Sequence, residues 1–278
     1  MARPSSAKYI RLTDRIVVGA LLLLCALSLA AIAFGPGPDQ VDLDAALASA
    51  GARFWLGSDP LGRDLAARLS RALWRSIAVF ATVGFSAIPL GLAAGLLLAT
   101  AHGIVRRGAF FLLRISTATP PFIVALAVVS VLGLTPFSAG LALGLAHASQ
   151  YALTVATRAQ QTLAEPYVKA AQALGVGRIG IVWRHVLPDV WPMMRCVFGA
   201  DAGRAIMGYA ALAFIGLGAD TGAPDLGAMV FEYRGYLLVE PQLIILPVAV
   251  TTLLVLALHR LFDRPISRSF VEAGQRRE

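Results

Sequence analysis

Apolar residues fall in runs too long for the core of a water-soluble domain. Residues 16–34 are 19 consecutive uncharged positions, and a bilayer core about 30 Å thick takes about 20 residues of helix to cross. That run follows Arg3, Lys8, Arg11 and Arg15 and stops before Gly35-Pro36-Gly37-Pro38. A cleaved signal peptide is the competing reading, with Ala31-Ile32-Ala33 as a loose cleavage site, but the length of the run and the further runs downstream favour a permanent span. Residues 76–101 add 26 uncharged positions. Between Arg114 and Arg158 lie 43 more. As one helix these would measure about 65 Å, over twice the membrane core. The chain must therefore reverse, and Gly133-Leu134-Thr135-Pro136 is the natural place. This predicts third and fourth spans near 109–134 and 136–157, a fifth at 193–218 interrupted by Asp201 and Arg204, and a sixth at 242–261.

The expected fold is all-α and integral to a membrane, with about six transmembrane helices and both termini cytoplasmic. The predicted divisions are a cytoplasmic segment at 1–15, a first span at 16–35, and an external loop at 36–72 with an amphipathic helix. A five-helix core follows at 73–262, containing a cytoplasmic loop at 158–192, and then a tail at 263–278.

Charge sets the orientation. Only 14% of residues are charged, against about 25% in soluble domains. With the amino terminus inside, the inner segments carry 15 basic residues and the outer segments six, the bias expected of cytoplasmic loops. The net charge of +8 could suggest nucleic-acid binding. The basic residues flank apolar runs, however, and make no stripe with interleaved aromatics. Cys25 and Cys196 offer neither a disulfide framework nor metal-ligand spacing.

Four polar features interrupt the apolar pattern. In Ser58-Asp59-Pro60-Leu61-Gly62-Arg63-Asp64, Asp59 is suited to cap a helix and Pro60 to open it. Leu61, Leu65, Leu69 and Leu73 then repeat every four residues, and Asp64 can pair with Arg68, which predicts a short outer amphipathic helix leading into the second span. In the cytoplasmic loop, Pro166 is placed to start a helix and Gly175 to end it, around the small residues Ala170, Ala171 and Ala173. A second helical stretch at 178–187 is expected to end before Pro188. Such a helix suits a groove in a partner protein or a position on the membrane surface, and the pattern alone supports both. Pro120-Pro121 predicts a kink, either passive or part of a gate. Asp201 and Arg204 each cost about 2.5–3.5 kcal/mol near the bilayer centre. One turn apart, they should meet on one face and point into the helix bundle, as a cargo contact or as an internal ion pair.

His147 is a lone intramembrane histidine, and His102, His185 and His259 form no spaced cluster, so no metal site is expected. There is no nucleophile–base arrangement and no phosphate-binding Gly-x-x-x-x-Gly-Lys loop, the only lysines being Lys8 and Lys169. If ATP drives this protein, another chain binds it.

Three segments carry a resemblance. Residues 56–64 (LGSDPLGRD), residues 167–175 (YVKAAQALG) followed by 184–188 (RHVLP), and residues 212–218 (LAFIGLG) followed by 224–227 (PDLG) are similar to motifs of one family. They resemble, in order and spacing, the permease subunits of bacterial ATP-binding-cassette (ABC) importers for peptides, nickel and related cargo. The resemblance implies the type I importer fold in the cytoplasmic (inner) membrane, no catalytic residues, and no cofactor in this chain, with ATP and Mg held by partner subunits. The implied partners are a second homologous permease in a heterodimer, two cytoplasmic ATPases, an extracytoplasmic solute-binding protein and the lipid bilayer, without nucleic acid. Coupling to the ATPase is implied for Glu165, Tyr167, Lys169, Ala170, Ala171, Leu174 and Gly175. The candidate path residues are Asp201, Arg204, Tyr209, Pro120 and Pro121. The chain departs from the family at Lys169, where Glu is common, and at Met207-Gly208-Tyr209-Ala210, where an acidic residue is frequent. Peptides or similar small polar solutes are the implied cargo. Nickel or a metal chelate is the alternative within the family, and a stand-alone secondary transporter or channel the alternative outside it.

Overall fold

The computed structural model describes residues 6–34, 37–216 and 222–262, and these are helical with no strand beyond a single Ser58–Asp64 bridge. The predicted tail at 263–278, residues 1–5 and Leu217-Gly218 of the third motif lie outside the described residues. The long helices are α1 (Ser6–Phe34), α2 (Leu65–Thr100), α3 (Gly103–Ala118), α4 (Pro121–Leu132) and α5 (Pro136–Ala164). Then come the short α6 (Pro166–Ala173) and α7 (Arg178–Ile181), a π turn (Val182–Val186), α8 (Leu187–Phe214), α9 (Leu226–Tyr233) and α10 (Gln242–Phe262).

Arg15–Ala33, α2 and α10 are each long and apolar enough to cross a bilayer, and α3 with α4 makes a fourth if the bent pair is one span. Helices α5 and α8, with 29 and 28 residues, occupy the places of the expected fourth and fifth spans. At 1.5 Å per residue both exceed a 30 Å core, but α5 is rich in Ser, Thr and Gln, and α8 carries the charges Asp189, Arg195, Asp201 and Arg204.

Three elements differ from expectation. The third span is not one helix over 109–134: it breaks at Thr119-Pro120 and turns by 80°. Pro120 lacks an amide proton and disfavours helical geometry at the residue before it, and Thr119 is accordingly extended (φ −80°, ψ 124°). The helix expected to stop before Pro188 continues through it. A proline ring collides with the carbonyl four residues back in a regular helix, and the widened turn at 182–186 lies where that collision would fall. The outer amphipathic helix does not begin at Pro60 but at Leu65, and it runs unbroken into the second span. Asp64, not Asp59, caps it, accepting from the Ala66 amide at 3.0 Å. The Gly133–Pro136 reversal is as expected, closed by reciprocal bonds between Thr135 and Ser138, each amide donating to the other hydroxyl at 3.0 Å.

The chain divides into two compact units. The first comprises residues 1–82, 126–140 and 202–261. Its core joins Leu65, Leu69 and Ala72 of α2 to Leu226, Met229 and Tyr233 of α9 and Leu243 of α10. The leucine repeat of α2 therefore faces protein, and only Leu61, before the helix, is exposed. The Trp74 indole donates to the Ser28 hydroxyl at 3.0 Å, tying α2 to α1.

Ion pairs pin the segment before α2 to this core. Asp59 is fully buried. Its Oδ1 accepts from the Leu61 and Arg63 amides (both 2.9 Å), and its Oδ2 from Arg63 Nε (2.6 Å) and the Tyr233 hydroxyl (3.0 Å). Arg68, equally buried, donates to Glu232 at 2.8 Å, with its Nε 3.7 Å from Asp59. The expected Asp64–Arg68 pair is thus replaced by partners far along the chain. Burial works against the charge on Arg63, but the Asp59 carboxylate beside it outweighs this and holds the guanidinium above its ordinary pKa. Two turns beyond Arg68, Arg75 grips Asp225 with two bonds (2.8 and 3.2 Å), and the Tyr209 hydroxyl donates to the same carboxylate. Backbone packing is equally close: Gly62 has φ +72°, and a Cβ there would sit 1.7 Å from the Asp42 carbonyl oxygen.

The second unit comprises residues 83–125, 141–201 and 262–278. Here α2 and α5 approach through small residues. A Cβ on Gly91 would lie 2.3 Å from Cβ of Tyr151, and one on Gly95 2.5 Å from Cβ of Val155. From the other side, Gly144 rests against Ser86. Such spacing lets helix backbones touch in a membrane, where apolar burial alone gives no preference for protein over lipid.

Two outcomes follow. Gly91→Ala should destabilise the detergent-solubilised protein by about 1–3 kcal/mol through overpacking, whereas Gly108→Ala, with open space around it, should leave the melting temperature unchanged or raised. Asp59→Ala strips two buried arginines of a shared counter-charge, a loss of about 3–5 kcal/mol for a broken buried pair. Amide exchange over residues 42–63 should then rise to that of an open loop, and unchanged protection would show that the ion pairs do not order the segment.

Candidate functional site

The loop joining α5 to α8 is a built surface. Glu165 is extended (φ −63°, ψ 140°) and Pro166 follows at the first helical position, where a missing amide proton costs nothing. Gly175 ends the helix with φ +87°. The Val176 amide returns to the Ala171 carbonyl (3.1 Å) and the Gly175 amide to Gln172 (3.0 Å), the double closure of a left-handed cap.

One side chain anchors this helix: Val168 is completely buried. Of the residues implicated by resemblance, Tyr167, Lys169, Ala170, Leu174 and Gly175 are exposed, and Glu165 and Ala171 are half-buried. Residues 165–175 therefore present mainly small and apolar side chains outward, with Lys169 and Gln172 among them. The adjoining turns add Ile179 and Trp183, 76% and 67% exposed, while Ile181 and Val186 point inward. Sequence reasoning missed Ile179 and Trp183, although two bulky apolar residues four apart between Arg178 and Arg184 were a visible signal. The Tyr167 ring lies 5.7 Å from that of His185, between centroids, which joins the helix to the π turn at 182–186.

The two ends of the loop are tied. Asp189, in the first turn of α8, accepts from Arg158 at 2.7 Å and from the Thr162 hydroxyl, both near the end of α5. A loop whose entry and exit share one carboxylate moves with its helices rather than independently of them. This contact also escaped the sequence reading, because its residues lie 27 and 31 positions apart.

The candidate path residues are dispersed in character. Asp201 is completely buried in α8, whereas Arg204, one turn on, is exposed. Tyr209 is buried, with its hydroxyl committed to Asp225. Pro120 and Pro121 form the break between α3 and α4. Among the described residues no group of three or more His, Cys, Asp or Glu side chains could hold a metal ion. His147 is buried with Nδ1 2.6 Å from the Leu143 carbonyl oxygen, a packing role.

Comparison with known proteins gives one answer. Residues 87–268 match the model of the family described as binding-protein-dependent transport system inner membrane component. The chain is 31% identical over 205 residues to the probable D,D-dipeptide transport system permease protein of Escherichia coli strain K12, covering 72% of this chain and 67% of the relative. It is 30% identical over 216 residues to the di/tripeptide transport system permease protein of Pseudomonas aeruginosa strain UCBPP-PA14 (76% and 70% covered). It is 29% identical over 209 residues to a glutathione transport system permease protein of Pectobacterium atrosepticum (75% and 69%). In fold it is similar to a chain of the inward-facing MetNI methionine ABC transporter, with a TM-score of 0.59 at 20% identity, covering 71% of this chain and 94% of that one. With its apolar spans, the tied loop between α5 and α8 and a family match over residues 87–268, the chain belongs to the binding-protein-dependent transport system inner membrane components and is a multi-pass inner-membrane protein.

Proposed function

We propose that this chain is one permease of a heterodimeric pair in an ATP-driven importer of peptides or similar small polar solutes. Two cytoplasmic ATPases bind ATP and Mg and do the hydrolysis, and an external binding protein delivers the cargo. The observation that carries the reading is the loop helix 166–173: one buried anchor, an exposed small-residue surface, and both ends fastened to spans. A groove in an ATPase subunit accepts such a helix closely, because Ala170 and Ala171 hold nothing that keeps the partner backbone away. Motion of the groove is then passed through Asp189 to α5 and α8 together. The peptide and glutathione systems named for the relatives support the cargo class. Membership of a binding-protein-dependent family favours this reading over a stand-alone secondary transporter or channel.

The direct test is reconstitution. Proteoliposomes holding this chain, its partner permease and the ATPases should take up a labelled dipeptide only with ATP and binding protein. Uptake by this chain alone, without an ATPase, sinks the proposal.

Two variants probe the loop. Ala171→Trp should insert normally and lower binding-protein-stimulated ATP hydrolysis about tenfold, the equivalent of a mid-range overpacking cost at the docking face. Full stimulation in that variant would place docking elsewhere. Asp189→Asn should leave hydrolysis near normal but reduce cargo moved per ATP by about twofold to fivefold, the range for a partly exposed ion pair. An unchanged ratio would mean that the tie does not transmit motion.

A further inference from the structure

Helix α3 is unexplained by the import reading. None of its 16 residues is buried. Gly103, Arg106, Arg107, Phe110, Phe111 and Arg114 line one open groove of about 540 Å³. At 3.6 residues per turn these six positions fall within an arc of about 140° on the helix. The three guanidinium groups and two phenyl rings therefore share one face.

The charge on that face is unanswered. Arg106 donates to Gln160 at 2.8 Å and lies 5.7 Å from the Phe110 ring centroid. The guanidinium groups of Arg107 and Arg114 meet no partner among the described residues. The helix has no acidic residue. Over residues 83–125 and 141–201 there are eight Arg and Lys residues but only Glu165, Asp189 and Asp201 to oppose them. Asp189 is taken by Arg158, and Asp201 is buried.

The rest of the helix surface is mostly apolar, Ser116 and Thr117 near its end excepted. Ile104, Val105, Leu112 and Ile115 are 82%, 68%, 67% and 51% exposed. A soluble anion would satisfy the arginines and leave these side chains in water. A lipid satisfies both. Basic and aromatic residues beside exposed aliphatic ones are the composition of a helix lying at a membrane interface, and the 80° turn into the strongly apolar α4 allows α3 such a position.

We infer that the arginine face of α3 is a binding site for an anionic glycerophospholipid of the cytoplasmic leaflet. Arg107 and Arg114 take the phosphodiester, and Phe110 and Phe111 flank the glycerol and upper acyl chain. Arg106, through Gln160, links the site to the end of α5, five residues before Glu165. The inference is independent of the cargo.

The test uses the full chain purified in detergent, with native mass spectrometry to read the lipid retained. The probes are phosphatidylglycerol and phosphatidylcholine of the same acyl chains, with glycerol 3-phosphate as soluble competitor. Each basic residue near an anionic surface contributes about 1 kcal/mol, so R107Q/R114Q should bind phosphatidylglycerol about 30-fold more weakly than the unaltered chain. R178Q/R184Q, with the same loss of charge elsewhere, should bind as before, and phosphatidylcholine should be held weakly by all. Equal retention of the two lipids by the unaltered chain overturns the site without reference to any variant. So does undiminished phosphatidylglycerol binding by R107Q/R114Q, or an equal loss in R178Q/R184Q. Displacement of the lipid by millimolar glycerol 3-phosphate would assign a soluble anion instead. In the assembled transporter, a photocrosslinker replacing Phe111 should label lipid, and labelling of the second permease would make the face a protein interface and end the proposal.

Discussion

Hydrocarbon offers no hydrogen bonds, so every polar group placed within or beside it must be met by the protein itself. That constraint explains where this chain spends its few charges. Asp59 and Asp225 each gather several donors, from Arg63, Tyr233 and the loop backbone in one case and from Arg75 and Tyr209 in the other. All four partner side chains come from α8, α9, or α2 and its approach, so the same contacts that satisfy the carboxylates hold the segment before α2 to the helices. An apolar cluster of Leu65, Leu69, Leu226 and Met229 lies beside them. Apolar packing supplies stabilisation there, and the ion pairs fix which residues face each other.

Within the spans the same constraint works through size. Gly91, Gly95 and Gly144 remove side chains where α2 meets α5, so van der Waals contact between backbones replaces the hydrophobic driving force that lipid removes. Serine and threonine hydroxyls donate to carbonyls a turn back, as Ser76 does to Ala72 and Thr154 to Gln150. These residues add polarity to the composition without adding unmet donors. Arg107 and Arg114 stand apart from this economy.

Local signals in the sequence were readable because their physics is local. Pro166 and Gly175 bound a helix for reasons contained within ten residues, and Thr135-Pro136-x-Ser138 closes its own cap. Pro120 announced a kink, but not its 80° size. Asp59-Pro60 misled for an instructive reason. The pair has the form of a helix start, yet the Asp59 oxygens are occupied by the Leu61 and Arg63 amides in a tight turn, and Asp64 caps the helix instead. Partners 150 to 174 residues away, such as Asp225 for Arg75 and Tyr233 for Asp59, have no periodic trace in a single sequence. The loop helix was legible as a helix, whereas its tie through Asp189 was not. Family motifs pointed to residues 165–175, and the three-dimensional arrangement adds Ile179 and Trp183, whose spacing in the sequence hinted at a shared face without fixing their exposure.

The π turn at 182–186 has a geometric consequence. Positions five apart in an unbroken α-helix lie about 140° from each other around the axis, yet Ile181 and Val186 are both buried, and Val190 follows four residues later. The one extra residue of the wide turn supplies the rotation that brings Ile181 into phase with the inward stripe of α8. The azimuth of the loop about the axis of α8 is therefore set by chain length at a single turn. Removing one residue there would swing α6 and α7 through about 100° relative to α8, turning their exposed face to a new direction while leaving every residue on it intact.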